Sequence, residues 1–254
     1  MLANVVPTRV AVVFGNNKHN AGAVMHPSVN LRHWKSYEAV ACTIADTLKT
    51  LGVDALAMPD GADLIERLRA ERIGLVWLNT GGVQGESPVC HTSAALESAG
   101  VPYIGHTPLN AALLDDKGIF KLALGGLGLP TARFVIWNAA KNGRLHPETN
   151  RAFRRAFGSY SGPFIVKPVN GRASQNVEFV PSIDGLEAMV AQVFAATGCL
   201  ILVEQYLGGR EYCVAVAGGG PTGGGLAFSA VERVLGAGER VFTSMDVKAI
   251  TGDR

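Results

Sequence analysis

Lys167 stands inside an apolar segment, Phe164-Ile-Val-Lys-Pro168. Burying an ammonium group there costs several kcal/mol unless it is paired. Two readings fit it: an edge-strand lysine that snorkels to water, or a lysine aimed into a cleft at an anion. Lys117, in Leu113-Leu-Asp-Asp-Lys-Gly-Ile-Phe-Lys-Leu122, is a second cation. Taken alone it reads as part of a solvated helix face with Asp116 as a local partner. The segment Leu202-Val-Glu-Gln-Tyr-Leu-Gly-Gly-Arg-Glu211 ends a buried strand at Glu204 and opens another at Glu211. Glu211 shares a face with Cys213 and Ala215. Two carboxylates flanking Tyr206 and Leu207 suit a nucleoside. Main-chain groups and apolar side chains can hold the base, and a carboxylate accepts both ribose hydroxyls. The alternative is a hairpin with Glu204 and Glu211 both solvated.

The elements that must position these residues follow from periodicity. Arg9-Val-Ala-Val-Val-Phe14 reads as a buried parallel strand. Tyr37, Val40, Ala41, Ile44, Leu48 and Leu51 fall at helical spacing, with Gly52 as a stop. Short strands over 53–57 and 73–78 alternate with helices over 62–70 and 89–99, and 101–105 closes the unit. Such alternation predicts a parallel α/β sheet, whose ligands sit outside the strand C-termini. The loops after Phe14 and after Leu78 are therefore candidate site material. Further on, one helix is expected over 109–124, ending at Gly125-Gly-Leu-Gly128. Strands over 132–137, 163–168, 177–180 and 200–203 alternate with helices over 148–157 and after Asp184, where Asp184 and Glu187 have capping-box spacing. Strand-like segments follow at 210–218, 226–235 and 240–250. Gly218 to Gly225 reads as a hairpin tip.

Composition sets the bounds. The chain has 254 residues, 48% hydrophobic and 17% charged, with a net charge of +2. It is long enough to bury a core and too apolar for a disordered chain. No extended basic footprint is present, so nucleic acid is not an expected partner. No apolar run spans a bilayer, so no membrane partner is expected either. Cys42, Cys90, Cys199 and Cys213 form no C-x-x-C pair, and four in so long a chain indicate a reduced, cytoplasmic setting. The six histidines show no metal-ligand spacing. There is no G-x-x-x-x-G-K-[ST], no H-E-x-x-H and no G-x-S-x-G. The missing strand–G-x-G-x-x-G–helix signature argues against a nicotinamide enzyme.

In this order the segments resemble the ATP-grasp ligases, and within them the D-alanine–D-alanine ligase type. The resemblance rests on Asp116-Lys117, Pro163-Phe-Ile-Val-Lys-Pro168, the Ser-bearing loop after it, and Val203-Glu-Gln-Tyr-Leu-Gly-Gly-Arg-Glu211. Val101-Pro-Tyr-Ile-Gly105 and Gly128-Leu-Pro-Thr131 add to it. It implies an N-terminal parallel α/β (pre-ATP-grasp) domain over 1–108. A central α+β ATP-grasp lobe over 109–205 and the start of a C-terminal lobe over 206–254 follow, with the nucleotide between these two lobes.

The resemblance also implies roles. Lys117 and Lys167 contact ATP phosphates. Glu204, Gln205, Tyr206 and Leu207 surround the adenine, partly by main-chain groups, and Glu211 holds the ribose. The loop over 171–176 closes over the phosphates, with Ser174 matching a family serine. Lys248, in Met245-Asp-Val-Lys-Ala249, approaches the terminal phosphate. The implied reaction joins an amino acid or similar small carboxylic acid to an amine through an acyl phosphate, with ATP and Mg²⁺. A cytoplasmic homodimer is expected by analogy.

The family's acidic and Asn ligands to Mg²⁺ come beyond the point where this sequence stops. They are expected beyond residue 254, and the sequence is read as a truncated one. The alternative is a nucleotide-binding homologue without ligase activity.

Departures from the family fall on the substrate side. Gly15-Asn-Asn-Lys-His-Asn-Ala-Gly22 lacks the Glu and Val-Ser of the first-strand loop, and Asn79-Thr-Gly-Gly82 replaces a His-Gly loop. Gly171 and Arg172 stand where Glu and Gly are usual. Arg172 is an added cation suited to a substrate carboxylate or the acyl phosphate. These departures point to ATP as the nucleotide and to a product other than D-alanyl-D-alanine.

Overall fold

The structure is a computed structural model, and it describes residues 9–15, 36–82, 85, 88–171, 174–218, 224–236 and 238–241. The chain forms two compact units, Met1–Leu127 and Gly128–Arg254.

The first unit holds β1 (Val10–Phe14), α1 (Glu38–Thr50), β2 (Ala55–Pro59), α2 (Leu64–Ala70), β3 (Leu75–Asn79), α3 (His91–Ser98), β4 (Tyr103–Ile104), α4 (Pro108–Asp115) and α5 (Lys117–Gly126). Its sheet runs β2-β1-β3-β4, with every pairing parallel. β1 is an interior strand covered on both faces, which is why it reads as an unbroken apolar run. Ala11 and Val13 pack with Met58, Leu64, Leu68, Val76 and Leu96. Val10, Val12 and Phe14 pack with Ala41, Ala45 and Ala55 on the other side. α1 stops as expected: Leu51 is the C-cap and Gly52 follows at φ +81°.

The single helix expected over 109–124 is two helices. Asp116 takes an extended ψ of 100° and accepts the Ile119 N–H on its side chain at 2.9 Å. An aspartate can offer the backbone this local partner in place of helix continuation. Lys117 thereby becomes the first residue of α5 rather than a mid-helix side chain. α5 then ends as the glycine pattern predicts, with Gly128 at φ +69°.

The second unit holds β5 (Phe134–Trp137), α6 (Ala139–Asn142), α7 (Arg151–Phe157), β6 (Phe164–Pro168), β7 (Glu178–Val180), α8 (Leu186–Thr197), β8 (Ile201–Gln205), β9 (Glu211–Cys213), β10 (Val216–Gly218), β11 (Gly225–Ala227) and β12 (Val231–Arg233). The main sheet runs β5-β8-β6-β7 and is antiparallel throughout. Alternate residues build its core: Val135, Trp137, Phe164, Val166, Val180, Ile201 and Val203 pack with Phe153, Phe157, Leu186, Val190 and Val193. α7 and α8 therefore cover one face of this sheet. The capping box expected ahead of α8 does not form. Glu187 turns instead to Arg144 at 3.3 Å and His146 at 3.2 Å, and the helix starts after Gly185 without a side-chain cap.

The strands expected over 210–218 and 226–235 are each interrupted. β10 pairs with β11, and β9 with β12. Between the two ladders the register slips by one, so residues 228–230 stand opposite 214–215. An extra residue on one strand is the signature of a bulge, which bends and twists a ribbon. Tyr212, Val216, Leu226, Phe228 and Val231 on this ribbon are exposed.

Candidate functional site

The alternation that buries Val166 and Val203 under the helices turns Ile165, Lys167, Leu202 and Glu204 to the opposite face of the sheet. The register sets Glu204 between Phe134 and Ile165, and Lys167 opposite Leu202, two residues along. On adjacent antiparallel strands such a diagonal pair is within reach of long side chains. The Lys167 ammonium donates to Glu204 Oε1. Their side chains keep 19% and 12% of their surface. β6 lies between β8 and β7, so Lys167 is not an edge-strand lysine, and Glu204 is buried rather than solvated.

Along β8 the sheet ends at Gln205. The Gln205 N–H donates to the Arg133 carbonyl at 2.9 Å, and the Tyr206 N–H to the Pro163 carbonyl at 3.0 Å. The Tyr206 ring meets the Phe179 ring edge-on, with centroids 5.0 Å apart. Leu207 is 64% exposed, and its N–H makes no hydrogen bond among the described residues. Glu211 is on the β9–β12 ladder, where Arg233 Nη1 donates to it at 2.6 Å. β8 and β9 belong to different sheets, so these glutamates do not sit on one hairpin. Ser174 is half-buried in a turn at φ 54°. Lys117, half-buried at the head of α5, belongs to the first unit. Arg172, Lys248 and residues 16–22 lie outside the described residues.

Sequence reasoning missed Asp60. It follows β2 directly, at the C-terminal edge of the parallel sheet, and is buried. Thr92 Oγ1 donates to Asp60 Oδ2 at 2.6 Å, Thr80 Oγ1 to the same oxygen at 3.0 Å, and the Gly61 N–H to Oδ1 at 2.9 Å. The carboxylate thus ties the end of β2 to the segment after β3 and to the start of α3. Gly82 in that segment sits at φ +76°, and a Cβ there would lie 1.8 Å from the Pro88 carbonyl oxygen, so only glycine fits. The available signal was an acid directly after an apolar strand in an α/β pattern.

Burial pushes the Asp60 carboxyl above the ordinary carboxylate range, against the pull of Thr92, Thr80, Gly61 and Arg67. A carboxyl held high in the folded chain binds its proton more tightly there than in the unfolded chain. Its contribution to stability is complete below the ordinary range and is lost as pH rises through the raised folded value. Urea unfolding across that window should show wild-type stability falling with pH relative to Asp60→Asn. Parallel curves for the two proteins would remove this account. Asp60→Ala, which orphans two hydroxyls and an amide, should cost ~1–3 kcal/mol.

Among the described residues no group of three or more His, Cys, Asp or Glu side chains could hold a metal ion. The four cysteines are free. No helix among the described residues is long and apolar enough to cross a membrane.

Residues 124–243 match the family described as D-ala D-ala ligase C-terminus. The D-alanine–D-alanine ligase of Ectopseudomonas mendocina (strain ymp) is 34% identical over 212 residues, which is 83% of this chain and 59% of that protein. The chain is similar to the D-alanine–D-alanine ligases and has an ATP-grasp fold. Two crystal structures bear out the fold. The D-alanine–D-alanine ligase of Bacillus anthracis superposes with a TM-score of 0.55 at 20% identity, covering 90% of this chain and 72% of that one. The VanG D-Ala:D-Ser ligase of Enterococcus faecalis gives 0.59 at 17% identity, covering 89% and 70%. The ligase-like chain spans 59% of the length of the Ectopseudomonas relative. Lys167, Ser174, Glu204, Tyr206 and Glu211 fall within the matched segment, while Asp60 and Lys117 precede it and Lys248 follows it.

Proposed function

We propose that this chain is an ATP-dependent carboxylate–amine ligase that works through an acyl phosphate. The observation that carries the reading is the Lys167–Glu204 pair on the face of the antiparallel sheet opposite α7 and α8. In this reading the neighbouring chain supplies the donors and walls a nucleotide needs. Lys167 offers a cation to a phosphate oxygen, and Glu204 holds that cation in one orientation. Phe179 and Tyr206 form an apolar wall for a base. The Leu207 N–H, without a partner among the described residues, supplies a donor to the base's edge. Glu211, steered by Arg233, is the acceptor for ribose hydroxyls. Ser174, Arg172 and Lys248 complete the phosphate and substrate contacts in this reading, and the resemblance assigns Lys117 a phosphate contact as well.

The chemistry asks little covalent work of the protein. A carboxylate oxygen takes the terminal phosphoryl group of ATP, and ADP leaves. An amine then attacks the acyl carbon, the amide bond forms, and phosphate departs with the bonding electrons. The protein must hold two anions together and neutralise charge on the transferring group. It must also keep water from the acyl phosphate. Mg²⁺ belongs to the reading by family analogy. The described residues provide no cluster to hold it. The substrates proposed are an amino acid or similar small acid and an amine, in a cytoplasmic homodimer. The substrate-side departures in sequence support a product other than D-alanyl-D-alanine.

ADP release by the chain with ATP, Mg²⁺ and pooled amino acids, against a control without amino acids, tests the reading. Release that depends on amino acids is the expected result. ATP binding with no such release would favour the nucleotide-binding homologue without ligase activity. Clean D-alanyl-D-alanine from D-alanine alone would overturn the substrate proposal.

A further inference from the structure

α7 turns Phe153 and Phe157 into the core and Arg151, Arg154 and Arg155 to solvent. Spacings of three and four residues put the three guanidiniums on one helix face. With Thr149 before the helix and Gly158 after it, they line an open groove of about 620 Å³. Gly158 carries no side chain, and nothing lies within 4 Å of where its Cβ would be, so that end of the groove is open. Arg9, Arg67, Arg144, Arg210 and Arg233 each hold a carboxylate. Arg151, Arg154 and Arg155 hold none, and make no hydrogen bond or ion pair among the described residues. Like charges at this spacing repel. The helix dipole accounts for Arg154 and Arg155, which lie in the last turn. It does not account for Arg151, which sits at the positive end of the helix.

We infer that this groove is an anion site for a diphosphate group on a small molecule, separate from the Lys167–Glu204 site. α7 packs on the helix-covered face of the sheet, and Lys167 lies on the other. Arginines about one helical turn apart on the backbone, roughly 5.4 Å, can reach two linked phosphoryl groups with their long side chains, and the planar fork of arginine binds each through two parallel N–H bonds.

Isothermal titration of the full chain with inorganic pyrophosphate tests the site. The Arg151→Gln/Arg154→Gln/Arg155→Gln variant should bind at least tenfold more weakly, with an unchanged Tm because all three side chains are exposed. Arg154→Lys/Arg155→Lys keeps the charge but not the fork, and should lose at least threefold. ADP titrated against pyrophosphate, in the wild type and in the glutamine variant, distinguishes a nucleotide's diphosphate from the free anion as the source, since only binding lost in the variant belongs to the groove. Unchanged affinity in the glutamine variant overturns the proposal, as does equal binding by the lysine variant, which would mark plain surface charge. Tighter binding of short RNA than of pyrophosphate would also overturn it. If the triple variant fails to fold, Arg151→Gln alone, with a threefold loss expected, decides the matter.

Discussion

Lys167→Met should weaken ATP binding roughly 10- to 100-fold, the worth of one charge-assisted contact to phosphate. The same change leaves Glu204 without its cation, and the Glu204 side chain is only 12% exposed. Breaking a buried pair from one side costs up to ~3–5 kcal/mol. Partial exposure of Lys167 lowers that, so a loss of about 2–4 kcal/mol in unfolding free energy is expected. The two effects are separable. Lys167→Met/Glu204→Gln removes the orphaned charge and should regain much of the stability while ATP affinity stays low. ATP titration by calorimetry and urea unfolding of both variants provide the readings. Normal ATP affinity in the single variant would take Lys167 out of the nucleotide site and leave it a structural ion pair.

The second large effect is expected at Phe164, three residues earlier on the same strand. It is fully buried and meets Phe157 at 5.3 Å, Tyr160 at 5.2 Å and Phe153 at 5.9 Å between ring centroids. Two of those contacts are edge-on, the favoured geometry for aromatic pairs. Phe164→Ala removes the ring at the centre of this cluster, and a close-packed core does not refill the space. A loss of ~3–5 kcal/mol in urea unfolding is expected. ATP affinity should hold wherever the variant is still folded, because Phe164 points away from Lys167. A loss below about 1 kcal/mol would mean that the aromatic cluster does not anchor the second unit.

How far the sequence could be read depended on whether a feature is local. The apolar run of β1, the helical stripe of α1 and the glycine stops at Gly52 and Gly128 are visible in a short window of residues. The structure keeps the β1 run and both glycine stops, and keeps the α1 stripe in part: Ala41, Ile44 and Leu48 pack inward while Val40 and Leu51 are exposed. Asp116 shows where such a window fails. The apolar spacing across it suits one helix, but its carboxylate caps the next turn and breaks the run. Glu187 fails in the same way, because Arg144 and His146 draw it from the local cap. The place of Asp60 directly after an apolar strand is legible in the sequence, but its partners are not, since its two hydroxyl donors arrive from the segment after β3 and from α3.

Lys167 marks the dividing line. The sequence by itself determined that a lysine interrupts a buried strand and that a glutamate ends another. It left open whether that strand was an edge and whether the glutamate was solvated. Strand order and antiparallel register decided both. They set β6 inside the sheet and aligned residue 167 diagonally with residue 204, 37 positions away. Periodicity along a chain reports which side of an element is buried. Which polar group meets which depends on the pairing of strands distant in sequence, and the packing of the whole unit selects that pairing.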